Sequence, residues 1–183
     1  MSTMYKTGMA ILISVVFAAS LQVLAVTQKS ELKFTVPAGW VEEQRTSSMR
    51  VAQYKLPKAT GDSEDASLVL YYFGQGQGGS TAANIERWVG QMTNADGSAT
   101  PEAKEEQFET NGLKVSTVDV FGTYVAETAP GSGTFHHKAG YRLRAAVVET
   151  PKGSYFVKLV GPEKTVAQWN ESFLSYLKSF ELK

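Results

Sequence analysis

The residues whose types and spacing could carry chemistry stand first in Gly74-Gln75-Gly76-Gln77-Gly78-Gly79, a corner between an apolar run and an amphipathic segment. Gly74, Gly76 and Gly79 satisfy the GxGxxG spacing that lets a backbone approach a pyrophosphate at a helix N-terminus. Asp96 lies near the spacing of a ribose-binding acid, but it falls in a turn and no βαβ unit follows, so dinucleotide binding is not expected. Gly74 and Gly79 also have the separation of a P-loop, yet Ser80 stands where that motif needs its phosphate-contacting lysine. Two readings of the corner remain. Glycines permit a positive-φ passage from a strand into a closely packed helix. Alternatively, N–H groups at the helix start, helped by Asn84 and Arg87, hold a carboxylate, phosphate or sugar. The candidate ligand-binding set is Gly76, Gly78, Gly79, Ser80, Asn84, Arg87 and Gln91. The last three form a polar stripe at helical spacing beside Trp88, where they could face a cleft.

Other constellations are weaker. His136 and His137 are the only histidines; adjacent residues on an extended chain point to opposite sides, so a solvated pair is expected rather than a metal site. Neither histidine accompanies a nucleophile motif such as GxSxG. Glu42-Glu43 and Glu105-Glu106 read as solvated edges. Arg142, Arg144 and Lys158 read as exposed positions or as stems packed over apolar neighbours. No catalytic residue, metal or cofactor is assigned.

The elements that must position these residues belong to a chain of 183 residues with 18 basic and 18 acidic side chains and no cysteine. One domain is expected, without disulfides or thiolate sites. The charges are scattered, with no stripe to follow a phosphate backbone, which argues against nucleic-acid binding. Lys6 precedes an apolar run, Met9 to Leu24, and no acidic residue occurs before Glu31. This reads as a secretory signal cleaved after Ala25, residues 1–25, leaving a globular domain over 26–183. The alternative is an uncleaved membrane anchor, although the run is just short of the roughly 20 apolar residues a spanning helix needs. The missing cysteine excludes a lipid-anchored form.

From Glu31 the chain predicts a first strand to Val36, a turn at Pro37-Ala38-Gly39 that delivers Trp40, and a strand from Met49 to Leu56. Ser67 to Phe73 is apolar on both faces and reads as a central strand. A helix from Thr81 to Thr93 buries Ile85, Trp88, Val89 and Met92. An irregular connection leads to strands at 105–109 and 113–124, joined across Asn111-Gly112. Apolar parity along the second strand switches between Val115 and Val118, which predicts a bulge near Ser116 or Thr117. A surface loop over 128–140 precedes a hairpin of 140–149 and 154–160 around Pro151-Lys152-Gly153. Gly161-Pro162 ends that strand, and Thr165 with Gln168 reads as a capping box opening a last helix. Its stripe is Val166, Trp169, Phe173, Leu177 and Phe180. This order predicts an α+β fold, a mainly antiparallel sheet covered by helices.

Phe34 with Pro37-Ala38-Gly39-Trp40, and Tyr72-Phe73-Gly74 with Gly76, Gly78 and Gly79, carry a resemblance to known proteins. Asn84, Arg87 and Trp88, Phe121-Gly122-Thr123-Tyr124, and Phe156-Val157-Lys158 with Gly161-Pro162 extend it. Together they resemble a family of uncharacterised exported bacterial proteins, often lipoproteins, and more remotely the PsbP-like α/β/α sandwich. The resemblance implies an antiparallel sheet between helices and no assigned activity. The expected function is an exported, periplasmic or secreted, non-enzymatic domain that binds a protein partner or small ligand. The alternative is a hydrolase or other enzyme whose Asp, Glu or Ser residues converge only in space.

Overall fold

The computed structural model describes residues 31–183, and the expected signal or anchor over 1–25 lies outside them. In chain order the elements are β1 (Leu32–Lys33), β2 (Val41–Glu42), β3 (Arg50–Leu56), β4 (Ala66–Tyr72), α1 (Thr81–Val89), β5 (Met92–Thr93) and β6 (Ala103–Thr110). Then come β7 (Leu113–Tyr124), β8 (Lys138–Glu149), β9 (Tyr155–Pro162), α2 (Glu163–Gln168), α3 (Asn170–Lys178) and β10 (Glu181–Leu182). Eight strands form one sheet in the order β2-β3-β4-β9-β8-β7-β5, with β6 also paired to β7. All its pairings are antiparallel. The architecture is therefore α+β, mainly antiparallel sheet with few helices. Only Leu32–Lys33 of the expected first strand is strand, and it pairs with β10.

The sheet feeds two separate cores, one on each face. Leu68 and Leu70 of β4, Val157 and Leu159 of β9 and Val115 of β7 meet Val166, Phe173 and Leu177 of α2 and α3 on the first face. Trp40 joins this core against Tyr54 and Tyr176, with ring centroids 5.6 and 5.0 Å apart. On the second face Val118, Val120, Leu143 and Phe156 meet Ile85 and Trp88 of α1. This division explains the parity switch in β7. No bulge occurs at Ser116 or Thr117, where pairing to β6 and β8 runs unbroken. The strand instead contributes its first half to one core and its second half to the other; the register shift lies between Gly122 and Tyr124. The expected hairpin forms at Asn111 and Gly112, with φ of 48° and 75°.

Two helices differ from expectation. α1 ends at Val89, capped at Gly90, and Met92 and Thr93 become a strand paired with Tyr124 and Thr123. Met92 still reaches the same core. The last helix begins at Glu163 after Pro162 and divides at Trp169, while β9 continues through Gly161. Thr165 does not cap it. Its N–H and hydroxyl both donate to Asp62 Oδ2, at 2.8 and 2.6 Å, and its Oγ1 accepts from the Ala59 N–H at 3.0 Å. A carboxylate from the distant loop between β3 and β4 thus supplies the helix start. Trp169 leaves the helical path as its indole N–H donates to the Pro57 carbonyl at 2.9 Å.

Arg144 is buried rather than an exposed position, at 5% exposure. The pleat places Asp119 of β7 beside Arg142 and Arg144 of β8 on the face toward α3. Arg142 donates to Asp119 from Nε at 2.7 Å and from Nη2 at 2.5 Å. Arg144 Nε lies 3.1 Å from the same carboxylate without hydrogen-bond alignment, and its guanidinium sits 4.9 Å from the Phe173 ring centroid. Removing Asp119 would strand a buried cation. Asp119→Ala is expected to cost about 2–3 kcal/mol in urea unfolding, against under about 0.5 kcal/mol for Glu106→Ala, which breaks the exposed pair with Lys104. Equal losses would show that this ion group does not hold the sheet to α3.

Candidate functional site

The glycine corner is a tightly bonded turn. Ser80 caps α1, its Oγ accepting from the Ala83 N–H at 3.2 Å. Asn84 is buried, and its Nδ2 donates to the carbonyls of Gly78 and Ser80, both at 2.8 Å. Its Oδ1 accepts from Arg87 Nη2 at 2.6 Å. A Cβ on Gly78, where φ is +92°, would lie 2.6 Å from the Phe156 ring and 2.9 Å from Phe73. Only glycine lets these rings meet across the turn. Gly79 sits against the Asn84 amide, whereas Gly76 has open space around its Cα. The structure therefore brings Gly78, Gly79, Ser80, Asn84 and Arg87 together, and Gly76 stands apart. Gln91, just beyond the helix, belongs to a different site.

That site is a cleft of about 580 Å³ on the α1 face of the sheet. α1 covers the part of this face built by β7, β8 and the start of β9, and leaves uncovered the part shared by β4 and β9. Val69 and Tyr71 of β4, with Lys158 and Val160 of β9, form the floor, and Tyr124 and Tyr141 stand to one side. The 126–130 segment with His136 makes one wall, Glu64 and Asp65 another, and Gln91 and Arg50 close the margins.

Lys158 organises the floor. Its cross-strand neighbours are Val69 on β4 and Ala145 on β8, both apolar. Its Nζ donates to Gln91 Oε1 at 2.5 Å and to the Tyr124 hydroxyl at 3.0 Å, and lies 4.9 Å from the Tyr124 ring centroid. Among the described residues no carboxylate comes within ion-pair distance of it. Burial, helped by the Arg87 charge, pulls this amine down to about 8. Burial likewise pushes Tyr124 up to about 12, with Tyr71 adding to the shift.

The carboxylates lining the cleft are already engaged. Glu64 accepts from Lys138 Nζ at 2.8 Å and from the Tyr141 hydroxyl. The Lys138 bond, then the tyrosine, hold its carboxyl below the usual range. Burial and that same contact raise Tyr141. Asp65 accepts from the Lys58 N–H, and Glu127 from the N–H groups of Gly131 and Gly133. Arg50, by contrast, makes no ion pair; its Nη1 donates to Gln53 at 2.5 Å and its guanidinium lies 5.6 Å from the Tyr71 ring centroid. The cations of the cleft without an ion-pair partner among the described residues are Lys158 and Arg50. His136 stacks on Tyr124 at 5.3 Å between centroids, while His137 is exposed.

Of the candidates read from sequence, only Gln91 lines this cleft. Arg50, Tyr71, Tyr124 and Tyr141 were not singled out, and Lys158 was placed among exposed or packed stems. A signal for Lys158 existed: in Tyr155-Phe156-Val157-Lys158-Leu159-Val160, strand parity sets a charge between Phe156 and Val160 on a strand apolar on both faces.

No protein-family model matches this chain, and no curated protein matches it. Among solved structures, the crystal structure of the protein of unknown function PA94 from Pseudomonas aeruginosa is similar, at 14% identity and a TM-score of 0.45. The match covers 82% of this chain and 96% of that one.

Two measurements follow from this geometry. Gly78→Ala combines a positive φ with a clash and is expected to cost about 3 kcal/mol of unfolding free energy, against about 1 kcal/mol for Gly76→Ala, which meets only the φ penalty. Similar costs would mean that ring packing does not depend on Gly78. The second concerns pH. Lys158 holds its proton less tightly in the native state than at the ordinary lysine value of 10.5. Between about 8 and 10.5 the unfolded chain therefore binds the extra proton, so its contribution to stability is present at high pH and is lost as pH falls through that window. Lys158→Met is thus expected to be more stable than wild type at pH 7, on the order of 1–3 kcal/mol, with the gain vanishing above the window. A destabilised variant at pH 7 would show that the amine is not under burial strain.

Proposed function

We propose that this chain is an exported binding domain of the cell envelope, periplasmic or secreted, whose cleft takes a small anionic ligand. The observation that carries this reading is a pair of cations in one cleft: Lys158 and Arg50 have no carboxylate within ion-pair distance among the described residues, while Glu64 is paired with Lys138 and Asp65 and Glu127 are turned to backbone N–H groups. Both cations are half-buried, and a bound carboxylate or phosphate supplies a direct counter-ion where the surroundings are partly desolvated. Gln91 and the Tyr124 hydroxyl fix the Lys158 ammonium in advance, which lowers the ordering cost of binding. Support for export is the apolar N-terminal run with its single lysine and the Ala25 cleavage position. No helix of the described residues is long and apolar enough to cross a membrane. The finer fold assignment belongs to this proposal as well: a PsbP-like α/β/α sandwich, supported by α1 on one face of the sheet and α2 and α3 on the other.

The reading predicts a ligand class. In a thermal-shift panel of small carboxylates, phosphate, nucleotides, sugars and divalent metals, the anions are expected to raise the melting temperature and neutral sugars to leave it unchanged. Lys158→Met should weaken anion binding by about 10–100-fold, the loss of one charge-assisted hydrogen bond. Arg87→Ala, with its unliganded melting point as the control, separates the cleft from the glycine corner: full loss of binding there would move the site to the corner. Shifts with neutral sugars and none with any anion would overturn the proposal.

A further inference from the structure

We infer that Lys158 is a nucleophilic amine that captures a small oxo acid as an imine, with the ligand's carboxylate on Arg50 and its carbonyl carbon at Nζ. The inference rests on the anion-binding reading of the cleft and names the ligand class. Most well-partnered lysines here cannot serve. Lys55, Lys104, Lys114, Lys138 and Lys152 each face a glutamate as counter-ion to the ammonium. Lys158 has oxygen acceptors instead, Gln91 Oε1 and Tyr124 Oη, which aim Nζ without a negative charge to hold its proton. Apolar Val69 and Ala145 flank its stem. Desolvation and a neighbouring cation are the two devices that make a lysine nucleophilic, and both are present, the cation being Arg87. With its value at about 8, roughly a tenth of the amine is neutral at pH 7, against well under about a hundredth for an ordinary lysine.

The step balances without any further reagent. The neutral Nζ adds its lone pair to the carbonyl carbon, forming a C–N bond and a carbinolamine. Both N–H protons pass to the former carbonyl oxygen, which leaves as water as the C=N bond forms. Nothing is oxidised or reduced. The Tyr124 hydroxyl, 3.0 Å from Nζ and protonated at neutral pH, is placed to carry a proton from nitrogen to oxygen. Hydrolysis reverses the capture.

The test uses the full chain with glyoxylate, an aldehyde bonded to a carboxylate, and sodium cyanoborohydride, which reduces an imine to a stable carboxymethyl-amine. Peptide mapping is expected to find the modification at Lys158 at least about tenfold faster than at any other lysine, a margin within what its larger neutral fraction allows. Arg50→Gln should slow labelling by glyoxylate and leave labelling by propanal, which has no carboxylate, unchanged. Labelling spread evenly over the lysines, or absent from Lys158, overturns the amine chemistry. Equal slowing with both aldehydes overturns the oxo-acid assignment. Acetate and phosphate separate this result from the binding proposal. If they still raise the melting temperature through Lys158 while no imine is trapped, anion binding stands and the amine chemistry falls; if neither occurs, both fall.

Discussion

One sheet with two apolar faces and few helical residues to cover them is the constraint on which the rest of this structure depends. Seven strands along the main path span about 29 Å at their usual spacing. On the first face α2, α3 and the aromatic residues Phe34 and Trp40 close the core. On the second, α1 has nine residues, about 14 Å of helix, and cannot reach from β7 to β3. The uncovered part of that face is walled by irregular segments, 58–65 and 125–137, and this is where the cleft lies. Its position follows from the shortage of helix rather than from any local motif.

A cleft floored by central strands inherits their apolar surroundings. Lys158 therefore enters an environment where its charged form is disfavoured, and the surrounding chain compensates with Gln91, Tyr124 and the face of the Tyr124 ring. Such a group weakens the native state, an outcome commonly tolerated where a polar side chain serves a ligand rather than the fold. The contrast with Arg144 is instructive. Both are cations on the inner strands, but Arg144 shares the Asp119 carboxylate with Arg142 and lies against the Phe173 ring, so it has a counter-ion within the protein. On the face of the larger core the charge is closed off, and on the open face it is left available.

How much of this was legible in the sequence follows from the range over which each signal acts. Strands, turns and the antiparallel order are local, and Ser67–Phe73, the Asn111-Gly112 hairpin and the closing helical stripe were readable from period and turn chemistry. The parity switch in β7 was also visible, but one strand serving two cores gives the same pattern as a bulge, and only the coverage of each face separates them. The start of α2 is not readable from its own residues, because Asp62, distant in sequence, accepts from Thr165 in place of a Thr165-Gln168 capping box. The cleft was the least legible part. Arg50, Tyr71, Tyr124 and Lys158 lie on four strands whose order is set by long-range pairing, and spacing along the chain says nothing of their convergence. Gln91 was found through helical periodicity, although it lies beyond the helix that suggested it.

The glycine corner and the cleft, separate as sites, are coupled as structure. Gly78 allows Phe73 and Phe156 to meet, and Asn84 fastens the first turn of α1 to the carbonyls of that corner. The same helix carries Arg87, whose charge acts on Lys158, and ends just before Gln91, which accepts its hydrogen bond. Because packed side chains interdigitate rather than slide, the seating of α1 at its N-terminal end fixes how far its C-terminal end reaches across the sheet. Phe156 lies two residues from Lys158 on the same face of β9, so the strand whose ring requires a glycine at the corner also carries the amine of the cleft. The stretch richest in local sequence signal thus acts on the site through position: it sets the helix that leaves the cleft open and that places one of the two acceptors holding Lys158.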